Sequence, residues 1–100
     1  MHHELRKAII CSSLASKIIG LMFSSKKTLV FAFERDEHIP LHTLFVFFPI
    51  HVFYLDKDKK VIETKTNFKP FSFYNPKFKA RYVVEVSERS SFKIGDVLIF

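Results

Sequence analysis

Ile50-His51-Val52-Phe53-Tyr54-Leu55-Asp56-Lys57-Asp58-Lys59-Lys60-Val61-Ile62-Glu63-Thr64-Lys65-Thr66 is the stretch whose reading decides the fold. Ile50 to Leu55 is apolar on both faces, as a strand covered on both sides must be. Asp56 to Lys59 is a polar run of turn residues, and Val61 to Thr66 then alternates apolar with polar. That order spells a β-hairpin with one fully covered arm and one half-exposed arm. Upstream, Leu41 to Phe48 is again apolar on both faces. Pro49 separates the two runs, because a proline cannot donate to a strand ladder and so marks a bulge or a break.

Working outward, Thr28 to Phe33 reads as a short strand, followed by a charged loop from Glu34 to His38 that Pro40 ends. Leu5 to Cys11 reads as another strand. Ser12 or Ser13 can cap a short helix, and Leu14, Ile18 and Leu21 or Met22 make its apolar stripe. Downstream, Asn67 to Lys79 holds Pro70 and Pro76 and reads as a connecting loop. Ala80 to Val86 is a strand with Tyr82, Val84 and Val86 on one face and Arg81, Val83 and Glu85 on the other. Ile94-Gly95-Asp96 is a turn, and Val97 to Phe100 is a closing strand. The expected fold is mainly β: a small antiparallel sandwich or barrel with one short N-terminal helix, residues 1–100 forming a single domain.

Composition narrows the classes. At 100 residues the chain is too short for two domains, each with a core of its own, and 48% hydrophobic with 26% charged residues excludes a disordered tail. One cysteine, Cys11, forms no internal disulfide and excludes zinc sites built on paired cysteines. Arg6-Lys7 before Ala8-Ile9-Ile10-Cys11 imitates the start of a signal peptide, but Lys17 interrupts the run and no cleavage site follows. The most apolar stretch, Leu44 to Leu55, contains Pro49 and His51 and is shorter than the roughly twenty residues a membrane helix needs. A cytoplasmic protein without a membrane segment is expected, as a monomer or weak dimer. The absence of Gln and the preference for Lys over Arg fit a thermophilic source.

The ordered set of elements resembles a widespread prokaryotic family of uncharacterised proteins, domain of unknown function number one-nine-two. The resemblance rests on Gly20-Leu21-Met22-Phe23, Leu29 to Phe33, His42-Thr43-Leu44-Phe45, Phe48-Pro49-Ile50, and Val52-Phe53-Tyr54-Leu55-Asp56 with its charged turn to Val61. It continues through Ala80-Arg81-Tyr82-Val83-Val84-Glu85 and Ile94-Gly95-Asp96. It implies a small β-sandwich of jelly-roll type with a short helix, and no established activity. Two positions depart from the family pattern. His51 stands where the family usually has Asp, and Ser87-Glu88-Arg89 stands where a glycine is common.

No nucleophile elbow, phosphate loop, dinucleotide fingerprint or zinc-protease helix is present. Neither a cofactor, a metal nor a catalytic residue is therefore assigned. His42 and His51 are the histidines a metal or catalytic reading would enlist, but no Cys, Asp or Glu lies beside them at ligand spacing. Cys11, on an apolar strand, reads as a small core residue. Glu85, also on an apolar strand, requires a partner or an edge, and Arg81 four residues earlier is its same-face candidate for an ion pair. The thirteen Phe exceed what a small core needs. Among them Phe68, Phe71, Phe73 and Phe78, with Tyr74, interleave with Lys69, Lys77, Lys79 and Arg81.

The first functional expectation is a non-catalytic module binding an unknown protein or small ligand, with His42, His51, Glu85, Phe71 and Tyr74 as candidate surface residues. The second is a salt-sensitive binder of single-stranded nucleic acid, contacted by Lys69, Lys77, Lys79 and Arg81. The third is a hydrolase-like enzyme using His42 or Glu85. Within the loop, Phe71 or Phe73 is expected to be buried and Tyr74 to lie at the surface with a solvated hydroxyl.

Overall fold

The computed structural model describes residues 1–5, 8–11, 28–39, 41–42, 50–69, 72–86 and 92–100. Nine strands account for most of them: β1 (His2–Glu4), β2 (Ala8–Cys11), β3 (Thr28–Glu37), β4 (Leu41–His42), β5 (Ile50–Leu55), β6 (Val61–Phe68), β7 (Phe73–Tyr74), β8 (Ala80–Val86) and β9 (Val97–Ile99). The fold is mainly β, and no helix occurs among the described residues. None there is long and apolar enough to cross a membrane. The helix expected around Leu14 and Ile18 lies outside the described residues, as does most of the apolar run after His42.

Five strands form one sheet in the order β2-β3-β8-β5-β6. Its centre is antiparallel, with β8 between β3 and β5, and β6 closing the hairpin on β5. The outer pair β2–β3 is parallel. Two ribbons complete the architecture, β1–β9 in parallel and β4–β7 in antiparallel pairing. The expected antiparallel arrangement thus holds at the centre of the sheet, and the pairs β2–β3 and β1–β9 are parallel. Strand boundaries also differ from the sequence reading. Of the expected first strand, Leu5 to Cys11, β2 covers Ala8–Cys11; a further strand, β1, precedes it at His2–Glu4, and β3 continues through the charged residues to Glu37. Its pairing with β8 stays regular as far as Ala32↔Tyr82 and resumes at Glu37↔Ala80 after an irregularity, which lets acidic residues extend the strand without entering the core.

The central strands are covered on both faces. Phe31, Val52, Tyr54, Phe68, Ala80 and Val83 form one core, with Phe33, Ile39, Ile62 and Tyr74 packed against it. Val30, Phe53, Leu55, Val61, Val84, Val86 and Leu98 form the other, joined by Leu5, Tyr82, Phe92 and Phe100. Alternate residues of β5 therefore enter different cores, Val52 and Tyr54 one and Phe53 and Leu55 the other. This is the arrangement its unbroken apolar run requires. The rings interlock edge-on, as in Phe53 against Phe92 at 5.0 Å and Tyr82 against Phe100 at 5.3 Å between centroids.

Among the described residues, two that are not glycine adopt left-handed backbone. Lys59, at φ 62°, closes the β5–β6 turn, where Asp56 Oδ1 accepts from the N–H groups of Asp58 and Lys60. Its Nζ donates to the Phe100 carbonyl at 2.9 Å and lies 4.2 Å from the Phe100 ring centroid. Asn67, at φ 52°, sits where the β5–β6 register shifts between Ile50↔Phe68 and Val52↔Lys65. Its N–H donates to His51 Nδ1 at 3.1 Å.

Asn67→Gly should therefore match or exceed the parent in stability, since glycine adopts this conformation without a side-chain penalty. Asn67→Val should cost about 1–2 kcal/mol. Urea denaturation of the two variants checks this, and a valine variant as stable as the glycine one would contradict it.

Candidate functional site

The loop between β6 and β8 is organised by one buried carboxylate. Glu63 is directly opposite Tyr54 across the β5–β6 pair and is 6% exposed. It receives three donors from the loop: the Tyr74 hydroxyl, the Lys77 N–H at 3.0 Å and the Phe78 N–H at 3.1 Å. A buried carboxylate needs such donors to remain ionised, and charge-assisted bonds are the stronger kind. Desolvation and then the bond to Glu63 push the Tyr74 hydroxyl up to about 12, so it stays a donor at physiological pH. A second tether comes from just beyond the end of β3, where His38 Nε2 donates to the Pro76 carbonyl at 2.8 Å. Pro76 is buried, and the Tyr54 hydroxyl donates to the Ile39 carbonyl at 3.1 Å beneath it. Burial first, and then the neighbouring acidic groups led by Glu63, push the Tyr54 hydroxyl up, so it stays protonated.

With its backbone held from below, the loop directs other groups outward. Tyr74 points in, packing near Tyr54 and Phe68, while its neighbour Phe73 is 57% exposed. Phe78 is 55% exposed, and Lys77 and Lys79 on either side of it are exposed as well. Phe31, Phe53 and Phe68, by contrast, are buried. The loop thus places two rings and two cations on its outer side.

Glu85 is the other buried acid. It lies on β8 between Leu29 of β3 and Val52 of β5 and is 4% exposed. Its Oε1 has no hydrogen-bond partner. Burial pushes its carboxyl up from 4.5 to about 8, so the group is largely protonated at neutral pH. The expected ion pair with Arg81 is not formed. Arg81 Nε instead donates to Asp36 Oδ1 at 3.1 Å, because the end of β3 brings that acid alongside.

The structure distributes the other candidates widely. His51 is on β5, and its Nδ1 accepts from the Asn67 backbone N–H, so the imidazole is engaged by the neighbouring strand. His42 pairs with Phe73 along the β4–β7 ribbon. Phe71 lies outside the described residues. Lys69, Lys77 and Lys79 are exposed, and Arg81 is engaged by Asp36. The expected split within the loop is corrected at Tyr74, which is packed with its hydroxyl on Glu63; Phe73 is outside, and Phe71, the other ring expected to be buried, lies outside the described residues. The reason is the buried acid, which draws the phenol inward. Glu63 itself was not singled out by sequence, because strict alternation puts it on the face of Val61, and the extra residue Ile62 turns it instead to the face of Tyr54. Asp96 was read only as part of a turn. It accepts from His3 Nε2 at 2.9 Å and the Lys93 N–H at 3.0 Å, and these bonds hold its carboxyl below the usual range. Gly95 beside it, at φ 97°, gives that turn its shape.

Comparison with known proteins finds likeness along nearly the whole chain. The profile of DUF192, described as "Uncharacterized ACR", matches residues 2–98. A UPF0127 protein of Pyrococcus horikoshii is 34% identical over 79 residues, covering 76% of this chain and 68% of the relative. One from Pyrococcus furiosus is 35% identical over 89 residues, covering 82% and 76%. Among solved structures, a protein of unknown function from Novosphingobium aromaticivorans aligns with a TM-score of 0.72 at 15% identity, over 80% of this chain and 61% of the other. A Sinorhizobium meliloti protein described as a candidate transcription regulator aligns with a TM-score of 0.73 at 15% identity, over 80% and 67%. The chain thus spans about three fifths of the Novosphingobium protein, and likeness at this identity shows a shared fold alone.

Removing the loop's anchor should be costly. Glu63→Ala leaves buried donors unpaired and should lose about 1–3 kcal/mol or more, with Tyr74→Phe losing part of that. Equilibrium denaturation should show both losses, and unchanged stability in Glu63→Ala would refute the anchoring role.

Glu85 gives a pH signature. The folded chain retains a proton that the unfolded chain releases, so the associated stability is full below about pH 4.5 and is lost as pH rises through about 8. Urea midpoints should therefore fall between about pH 5 and pH 9, and Glu85→Gln should flatten that decline. Equal slopes in the parent and Glu85→Gln would exclude this carboxyl as the source.

Proposed function

The chain belongs to the DUF192 family, and from that footing we propose that it is a non-catalytic binding module whose recognition surface is the loop between β6 and β8. The observation that supports this most is the outward placement of Phe73 and Phe78 on a backbone tethered by Glu63 and His38. Exposed rings on a yielding loop lose much of their contact energy to ordering. Rings on a held backbone have met that cost during folding. Glu85, which a hydrolase reading would enlist, is sealed from solvent and favours a place in the core over contact with a substrate.

The same proposal includes a jelly-roll sandwich as the finer description of the fold. Its support is that residues of the β4–β7 and β1–β9 ribbons pack on opposite faces of the five-stranded sheet. It also includes a cytoplasmic monomer or weak dimer, supported by the lone cysteine, which makes the fold independent of an oxidising compartment.

A heteronuclear NMR screen against short peptides, mononucleotides and small aromatic compounds tests the reading. Binders should shift the amides of Phe73, Lys77, Phe78 and Lys79. Phe73→Ala and Phe78→Ala should abolish the response while each costing well under 1 kcal/mol of stability. Binders that map to another face, or large stability losses in both variants, would overturn the assignment.

A further inference from the structure

Resting on that reading of the loop as a binding face, we propose that its ligand is single-stranded nucleic acid, with Phe73 and Phe78 stacking on bases and Lys77 and Lys79 meeting phosphates. The two rings are 57% and 55% exposed, and both lysines are exposed on either side of Phe78. A ring flanked by cations matches a ligand that alternates flat faces with negative charge, as a nucleotide chain does. An acidic peptide would satisfy the lysines but supply no flat face for the rings. A duplex would supply phosphates but keep its base faces stacked, out of reach of a side-chain ring.

The neighbouring acids set the track of the strand. Glu34, Asp36 and Glu37 are exposed along the end of β3, with Glu37 opposite Ala80 and Asp36 bound to Arg81. They repel a polyanion and occupy the guanidinium, so Arg81 is withdrawn from the phosphate contacts. Glu63 is buried beneath the loop, with the Tyr74 hydroxyl and two backbone N–H groups directed at it, and so is withdrawn from the ligand. The strand is thereby steered along Lys77 and Lys79, away from β3. Neutralising two phosphates predicts only a shallow salt dependence, with a logarithmic slope of about −1.4, or −0.7 for each. Stacking supplies the remainder of the affinity.

Fluorescence anisotropy with labelled oligothymidylate and oligouridylate, titrated between about 50 and 200 mM salt, tests the proposal. A duplex of the same length and polyglutamate serve as competitors. The expected result is binding to the single strands, weak competition by duplex and polyglutamate, and a slope near −1.4. Lys77→Ala with Lys79→Ala should flatten the slope. Phe78→Ala should weaken binding about tenfold or more with the slope unchanged. Absence of binding at the lowest salt would overturn the proposal, and so would equal affinity for duplex or polyglutamate with no effect of Phe78→Ala. If the oligonucleotides fail while peptides or small aromatic compounds still shift the loop amides, this inference falls and the binding-module reading stands. If nothing shifts those amides, both fall.

Discussion

A carboxylate taken out of water on a strand must collect donors or give up its charge. Glu63 collects three, and the course of the chain from Tyr74 to Phe78 follows from where those donors have to be. Two consecutive backbone N–H groups turned toward one acid fix the path of Lys77 and Phe78. The Tyr74 phenol turned the same way forces Phe73, its neighbour on a short strand, to the opposite side. The outward rings thus result from an inward charge.

Glu85 shows the other solution. Both acids belong to the face of the sheet that carries Val52, Tyr54 and Val83, and both are almost fully buried. One is ringed by N–H and O–H groups. The other lies on the central strand between apolar neighbours and keeps its proton. The difference arises from position. Glu63 is on the outermost strand, where a loop can fold over it, whereas the backbone on both sides of Glu85 is already committed to β3 and β5. Tyr54 lies on the same face as both, its hydroxyl settled on the Ile39 carbonyl.

Much of this was legible in the chain because burial on two faces leaves a plain mark. The continuous apolar run of β5, the polar turn after it and the alternation in β6 specified the hairpin. The faces of β8 were readable residue by residue. The ends of strands were not, since Glu34 to Glu37 is charged yet extended, held by pairing that resumes beyond an irregularity. Parallel pairing of β2 with β3 also leaves no local pattern, because it depends on contacts between segments far apart in sequence. At the loop, residue types indicated rings beside cations, but their orientation hinged on Glu63. A single glutamate among threonines and lysines looks like an ordinary solvated side chain, and only the extra residue Ile62, which alternation does not foretell, turns it to the face of Tyr54.

The outer strand β6 has a further consequence for how the molecule meets its neighbours. An exposed strand edge is a template on which other chains can add and grow into aggregates. Here the start of that edge is closed by the chain itself, since the Val61 N–H and carbonyl are bonded to Asp96 and Gly95. Farther along, Ile62 is an extra residue in the pairing with β5, Lys65 places a cation on the strand, and Asn67 turns the backbone out of register. Irregular spacing and charge make this a poor seed for fibril-like stacking. A protein rich in phenylalanine can therefore show rings to solvent without offering a backbone edge beside them, which separates recognition from self-assembly.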